Sequence, residues 1–269
     1  MPGDQWEAMA PRWERARDLL WQATRPVSEW LVARLDPQPG QTLLDLAAGS
    51  GDTGFLAAER LGPDGVLITS DREPGMVEAA ERRARELGIS NARFRVLDAE
   101  RIDLPAASID RVVNRFGYIL RGDPPPALGE IRRVLRPDGR LAFAVWGERR
   151  RNAWMTVPAD VMVERGHLAP QGMEELRLSE RRTPAGIEAS LRQTGFTLLE
   201  LEELEVSYRF GDADELWFFV SELRGPVALA LARLDEPERL AVRAEIERRA
   251  AHVAGGYELG GISLNVVST

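Results

Sequence analysis

Two periodicities alternate through the middle of this chain. Between residues 40 and 147, short apolar runs bounded by glycine and proline turns give way, again and again, to stretches whose apolar positions recur at helical spacing. Runs of the first kind read as buried strands and stretches of the second as amphipathic helices. The pattern predicts strands at Thr42 to Leu46, Val66 to Asp71, Arg93 to Asp98, Asp110 into the loop at Gly117, and Arg140 to Trp146. Helices are expected from Phe55 to Leu61, Pro74 to Leu87 and Pro124 to Leu135, with turns at Pro37-Gln38-Pro39-Gly40, Gly62-Pro63-Asp64-Gly65 and Arg136-Pro137-Asp138-Gly139. Five β–α alternations over roughly 105 residues imply a parallel, doubly wound sheet.

The flanks follow different patterns. Residues 4 to 35 look helical, with Pro11 and Pro26 expected to break the run into three or four short pieces. Four of the seven tryptophans fall here, either packing against the domain or forming a lid over a ligand, with Trp13 the favoured contact. Beyond the fifth strand, Met155 to Gly166 reads as a covering helix, Thr183 to Thr194 as another, and Thr197 to Arg209 as a sixth strand. Helices interrupted at Asp235-Glu236-Pro237 then precede a last strand starting at Tyr257. The expected organisation is an N-terminal helical cap over 1–38, an α/β core over 39–209 and 257–269, and a helical insertion over 210–256 covering an acceptor pocket. Trp217, Phe218 and Phe219 read as the core of that insertion, and His252 as surface.

Composition removes several chemistries. The 269 residues contain no cysteine and no lysine, so thiolate nucleophiles, disulfides, lysine Schiff bases and a P-loop lysine are excluded. A net charge of −8 disfavours general binding to nucleic acid. The N-terminal residues lack a signal-peptide pattern, and no apolar run reaches membrane-spanning length, which leads to the expectation of a cytoplasmic protein without integral membrane association.

Candidate chemistry gathers where strands end. In Gly49-x-Gly51-x-x-Gly54, which links the first strand to its helix, Gly49 and Gly51 remove side chains where a ligand could approach the backbone. Taken alone the loop also fits a dinucleotide fingerprint, or a tight turn and nothing more. Asp71 closes the second strand, at the ligand crevice of an open α/β sheet, and a carboxylate there is a natural acceptor for two vicinal ribose hydroxyls. Asp98-Ala99-Glu100 can accept from an exocyclic amine and offer a backbone N–H to an adenine ring. Arg149 to Arg151 are a grip for an acidic substrate group or a solvated charge run, and His167 is a helix cap or a base.

Five motifs in order carry a specific resemblance. Leu44-Asp45-Leu46-Ala47-Ala48-Gly49-Ser50-Gly51, Asp71 with Met76, Asp98-Ala99-Glu100, Asn114-Arg115-Phe116-Gly117 and Leu135-Arg136-Pro137-Asp138-Gly139 together resemble the Rossmann-like S-adenosylmethionine-dependent methyltransferases. Within them the chain is most similar to the branch holding the ubiquinone and menaquinone C-methyltransferases and many small-molecule methyltransferases. The resemblance spans residues 40 to about 147. It implies an α/β fold, a doubly wound, seven-stranded, mostly parallel Rossmann-like sheet with N-terminal helices and a helical insertion before the last strand. It implies binding of S-adenosylmethionine, release of S-adenosylhomocysteine and no metal. By position, Asp45 would support the loop, Ala47 and Gly49 line the methionine and ribose, Asp71 hold both ribose hydroxyls, Asp98 and Ala99 hold the adenine, Arg72 and Met76 flank it, and Asn114 meet the methionyl end. One departure stands out: the family usually has glycine where Ala47 stands.

The reading is therefore methyl transfer, by in-line displacement, to a small-molecule acceptor that is apolar or aromatic or bears an acid. Trp13, Arg115, Phe116 and Trp146 are the candidate substrate contacts, and His167 and Tyr118 the candidate bases. The alternatives are a non-catalytic S-adenosylmethionine-binding regulatory protein and, further off, an NAD-dependent oxidoreductase, which two histidines and no lysine equip poorly.

Overall fold

The structure is a computed structural model, and it describes residues 16–117, 119–170, 181–223 and 226–269. Among the described residues, α1 (Arg17–Leu35) leads into β1 (Thr42–Leu46), α2 (Asp52–Leu61), β2 (Val66–Asp71), α3 (Pro74–Leu87) and β3 (Ala92–Val96). There follow β4 (Ile109–Arg115), α4 (Pro126–Val134), β5 (Leu135–Trp146), α5 (Ala153–Glu164), α6 (Pro184–Gln193) and β6 (Leu198–Phe210). The chain ends in α7 (Ala213–Phe218), α8 (Pro226–Leu231), α9 (Glu236–Arg249), β7 (Ala251–Val253) and β8 (Gly256–Ser268). No helix among the described residues is long and apolar enough to cross a membrane.

The strands form one sheet in the order β3-β2-β1-β4-β5-β8-β6, with β7 paired to β8. The four pairings among β1 to β5 are parallel, and Leu44 of β1 lies beside Ile68 of β2 and Val112 of β4. Thr197 and Thr269 exchange both backbone hydrogen bonds, at 2.8 and 3.0 Å, the signature of antiparallel pairing between the start of β6 and the end of β8. Parallel strands must be covered on both faces, which is why Leu43, Leu44, Leu46, Leu67, Val112, Val113 and Phe143 are buried with no polar alternation.

The expected mostly parallel α/β sheet is therefore present, with eight strands rather than seven. The addition is β7, which turns through the Gly255-Gly256 pair, both at positive φ, and pairs antiparallel with β8. The expectation for 210–256 was helices alone.

A second difference concerns Pro26. It lies inside α1, which runs unbroken from Arg17 to Leu35. Pro26 is exposed, so the carbonyl its missing N–H leaves unpaired faces water, while Ala23, Val27 and Leu31 stay packed on the buried side.

The described residues divide into two compact units. The larger takes in those of 25–145, 180–204 and 263–269; the smaller takes in those of 1–24, 146–179 and 205–262. Within the larger unit, α1 is tied down by polar anchors. Trp30 donates its indole N–H to Glu202 at 2.7 Å, Arg34 forks onto both oxygens of Glu200 at 3.0 Å, and the buried hydroxyls of Ser28 and Thr53 share a 2.9 Å hydrogen bond. Trp30 thus packs against the domain. Within the smaller unit, α5 and α9 are clasped by Arg249 on Glu164 and by Arg165 on Glu238.

The Ser28–Thr53 pair offers a direct check on how α1 is held. Thr53→Val keeps the shape of the side chain and leaves the Ser28 hydroxyl buried without its partner, so urea unfolding should show a loss of about 1–3 kcal/mol. Ser28→Ala in the same background should recover part of it.

Candidate functional site

The site begins at the carboxyl end of β1. Asp45 is almost wholly buried, and its carboxylate accepts the backbone N–H of Gly54, in the first turn of α2, at 2.8 Å. That contact requires glycine: a Cβ at residue 54 would lie 2.6 Å from Asp45 Oδ2 and 3.0 Å from Leu67. Burial raises the Asp45 carboxyl to about 7, opposed by the Gly54 N–H and by the charge of Arg115.

Between β1 and α2 the chain turns through Ala47 at φ 54°, Gly49 at φ 58° and Gly51 at φ 84°. A Cβ at Gly49 would meet nothing within 4 Å. Gly51 differs: its missing side chain makes room for the Phe55 ring, whose nearest atom would be 2.5 Å from a Cβ there, so this glycine admits protein and not a ligand. Ala47 carries a side chain into the left-handed region, at a cost of about 1–2 kcal/mol relative to a relaxed backbone. The loop is braced by Ala48 N–H on Ser70 C=O at 2.8 Å and Gly51 N–H on Ala48 C=O at 3.0 Å.

Asp71 closes β2 directly against this loop. Its Oδ2 accepts from Gly49 N–H at 2.9 Å and its Oδ1 from Glu73 N–H at 3.1 Å. Each carboxylate oxygen keeps a further lone pair. Burial raises the Asp71 carboxyl, against the pull of these backbone donors. Leu97 N–H on Asp71 C=O, at 3.0 Å, brings the end of β3 alongside, and the exposed Asp98 accepts from Glu100 N–H at 2.9 Å, with Ala99 half-buried between them. Arg72 is exposed and reaches Glu73 at 3.3 Å, while Met76 is buried on α3.

On the other side of β1, Asn114 is fully buried. Its Nδ2 donates to Leu46 C=O at 2.6 Å, and its Oδ1 is buried without a hydrogen-bond partner. Gly117 must be glycine, because any Cβ there would run into the Asn114 amide. Phe116 stands between them at φ 64°, a left-handed backbone that a bulky residue rarely adopts, held by its own N–H on Ala144 C=O at 2.8 Å. The Arg115 guanidinium lies 5.9 Å from the Phe116 ring centre.

The larger unit thus brings together Asp45, Ala47, Gly49, Asp71, Ala99 and Asn114 around one loop. The smaller unit holds Trp146 and His167. His167 Nε2 lies 2.7 Å from Glu238 Oε1, on a carboxylate that also takes Arg165 and is held down to about 2 by both partners. His167 therefore takes part in the α5–α9 clasp through Nε2. Trp13 and Tyr118 lie outside the described residues. Sequence reasoning missed the left-handed Phe116 and the structural demand on Gly54, although the third glycine of the fingerprint was a signal for the latter.

A parallel sheet that changes strand order between β1 and β4, with a glycine loop and an acid at adjacent strand ends, defines a nucleoside-binding protein of the Rossmann-like class. A family described as a methyltransferase domain matches residues 37–165. The chain is 33% identical to the nocamycin O-methyltransferase of Saccharothrix syringae over 86% of each sequence. It is 32% identical to the ubiquinone/menaquinone biosynthesis C-methyltransferase of Bordetella avium (strain 197N), over 50% of this chain and 52% of that one, about half its length. A solved S-adenosylmethionine-dependent methyltransferase of Aquifex aeolicus shares the fold, with a TM-score of 0.52 and 16% identity over 92% of this chain and 97% of that one. The chain belongs to the S-adenosylmethionine-dependent methyltransferases.

Two outcomes test this geometry. Ala47→Gly should raise stability by about 1 kcal/mol, the relief of a left-handed alanine less the greater freedom of glycine when unfolded, read by chemical denaturation. The Asp45 carboxyl is raised in the folded protein from 3.8 to about 7, so the fold binds its proton more tightly than the unfolded chain does. Its contribution to stability should therefore fall as pH rises between those values. Relative to the wild type, Asp45→Asn should gain stability across that window, and a constant difference would show that Asp45 does not titrate there.

Proposed function

We propose that the larger unit holds S-adenosylmethionine with its ribose on Asp71, its adenine beside Asp98 and Ala99, and its methionyl end along the Ala47–Gly49 loop. The observation that carries this reading is the Asp71 carboxylate, pinned by Gly49 and Glu73 yet with lone pairs to spare, next to open space over Gly49. A carboxylate so placed suits two donating hydroxyls, and a glycine without a neighbour over its α-carbon suits a ligand lying flat on the backbone.

When bound, the cofactor supplies a methyl group on a sulfonium, an activated leaving group whose transfer depends on alignment. Arg115 and the strained Phe116, at the end of β4, are our candidates for holding the acceptor in line. We assign oxygen as the accepting atom, because the relative matched over 86% of its length is named an O-methyltransferase. The acceptor that fits best is an acidic enol or phenol, which loses its proton readily. The cap over 1–38 and the acceptor role of 210–256 belong to this same proposal.

Calorimetric titration with S-adenosylmethionine, S-adenosylhomocysteine and NADH tests it. Both adenosyl ligands should bind and NADH should not, and Asp71→Ala should weaken the adenosyl ligands by about a hundredfold, the worth of two hydrogen bonds to a charged group. Unchanged affinity in Asp71→Ala would refute the ribose assignment.

A further inference from the structure

Residues 97–108 connect β3 to β4, and in the sheet β2 and β1 lie between those two strands. A crossing between parallel strands is usually made by a helix, which satisfies its own backbone groups. This one contains no helix. Its first residue is anchored by Leu97 N–H on Asp71 C=O at 3.0 Å. Arg101 N–H on Asp98 C=O, also at 3.0 Å, then closes a tight turn that carries Asp98 and Ala99. What holds the far side of that turn comes from α4.

Glu130 and Arg133, one turn apart on α4, form an ion pair, with Arg133 Nε on Glu130 Oε1 and Nη2 on Oε2, both at 2.8 Å. On a helix surface such a pair adds little stability. Here both partners also grip the connection. Glu130 Oε2 accepts the Ile102 N–H at 2.8 Å, while Arg133 donates from Nη2 to Ile102 C=O at 2.6 Å and from Nη1 to Leu104 C=O at 2.9 Å. Ile102 is buried, so its backbone groups need partners from the protein. Its C=O also takes the Leu104 N–H at 2.8 Å, but its N–H goes to Glu130. The Arg133 hydrogen bond holds the Glu130 carboxyl below its usual range, which keeps it an acceptor. The return leg is tied to the same helix, by Ala107 N–H on Arg133 C=O and Ser108 N–H on Val134 C=O. The turn is thus fixed at one end by the strand that carries Asp71 and at the other by two side chains of α4.

We infer that Arg133, with Glu130, is a positioning residue: the pair fixes the Asp98–Ala99 turn relative to Asp71 and so sets how sharply the site tells adenine from another purine. The inference rests on the cofactor reading above and extends it to a pair on α4. The Ala99 N–H suits adenine N1, an acceptor, and Asp98 suits the exocyclic amine. Hypoxanthine presents a donor at N1 and an oxygen at C6, so donor would face donor and acceptor would face acceptor. That discrimination lasts only while the turn is held within hydrogen-bonding distance. The ribose and methionyl contacts come from β2 and from the loop after β1, and do not depend on α4.

The test is calorimetric titration of the full chain with S-adenosylhomocysteine and with S-inosylhomocysteine, which differs from it only in the base. The wild type should prefer the adenine ligand by about thirtyfold. Arg133→Gln releases Ile102 and Leu104 and should cut that preference to about threefold, with S-inosylhomocysteine bound no more weakly than before. Arg133→Lys keeps the charge, yet one ammonium cannot reproduce the planar fork that serves Glu130 and two carbonyls, so it too should lose the preference. It serves as the second variant should the glutamine protein fold poorly. A preference that survives both substitutions would overturn the inference. So would an equal weakening of the two ligands, which is what a merely structural role would give. The wild type alone tests the reading beneath: equal affinities there, or binding of neither ligand, would refute adenine beside Asp98 and Ala99 and the inference with it.

Discussion

A buried carboxylate organises the first βα unit. Asp45 gives up most of its hydration at the carboxyl end of β1, and burial alone would keep it protonated well into the neutral range. What offsets that cost is a single backbone donor, Gly54 N–H at 2.8 Å, together with the positive charge of Arg115. The consequence is geometric. To bring its N–H so close, residue 54 can have no side chain, so α2 begins tight against β1, and the six residues between Asp45 and Asp52 have to turn through three positions of positive φ. The second braced carboxylate, Asp71, then reaches across from β2 to fix Gly49 in that loop. Two acids, one buried and one half-buried, thus determine the shape of the surface on which a nucleoside would rest, and neither does so through a side-chain partner.

The same logic explains where strain is tolerated. Ala47 and Phe116 both adopt left-handed backbone at strand ends, on either side of the β1–β4 order change. Each is over-determined by its neighbours: the Ala47 turn by the Asp45 and Asp71 braces, Phe116 by its N–H on Ala144 and by Asn114 packed under Gly117. Strain persists only where the surroundings fix the chain more firmly than the local preference can release it, and such places cluster at ligand sites.

Much of this was legible in the sequence because it depends on local signals. Short apolar runs bounded by turns, one of them ending on Asp71, alternate with helical spacing that resumes directly after the glycine loop, so the parallel sheet and the positions of Asp45, Asp71 and Asp98 could be read from order alone. The failures have physical causes. Pro26 was expected to break α1, yet a proline on the solvent side of a helix costs one hydrogen bond that water replaces, and the pattern of polarity around it had less weight than the residue type. Gly51 looked like a gap for a ligand, but whether a missing side chain admits ligand or protein depends on Phe55, whose ring orientation no spacing encodes. β7 is three residues long and exposed, too short to register as alternation.

The smaller unit was the least legible, and for a reason that generalises. Its two polar junctions, the Asn152 amide that takes the Ile262 N–H and the Glu238 clasp, join residues 110 and 71 positions apart, and in each the polar group is recognisable only through its partner. An asparagine close to a tryptophan says nothing by itself; an asparagine whose amide is saturated by three backbone groups and the Trp154 indole states that the indole's direction matters to the fold. Likewise His167 stands alone in the sequence until Glu238 is seen to engage it along with Arg165. That carboxylate is held near 2 by its hydrogen bonds to Arg165 and His167.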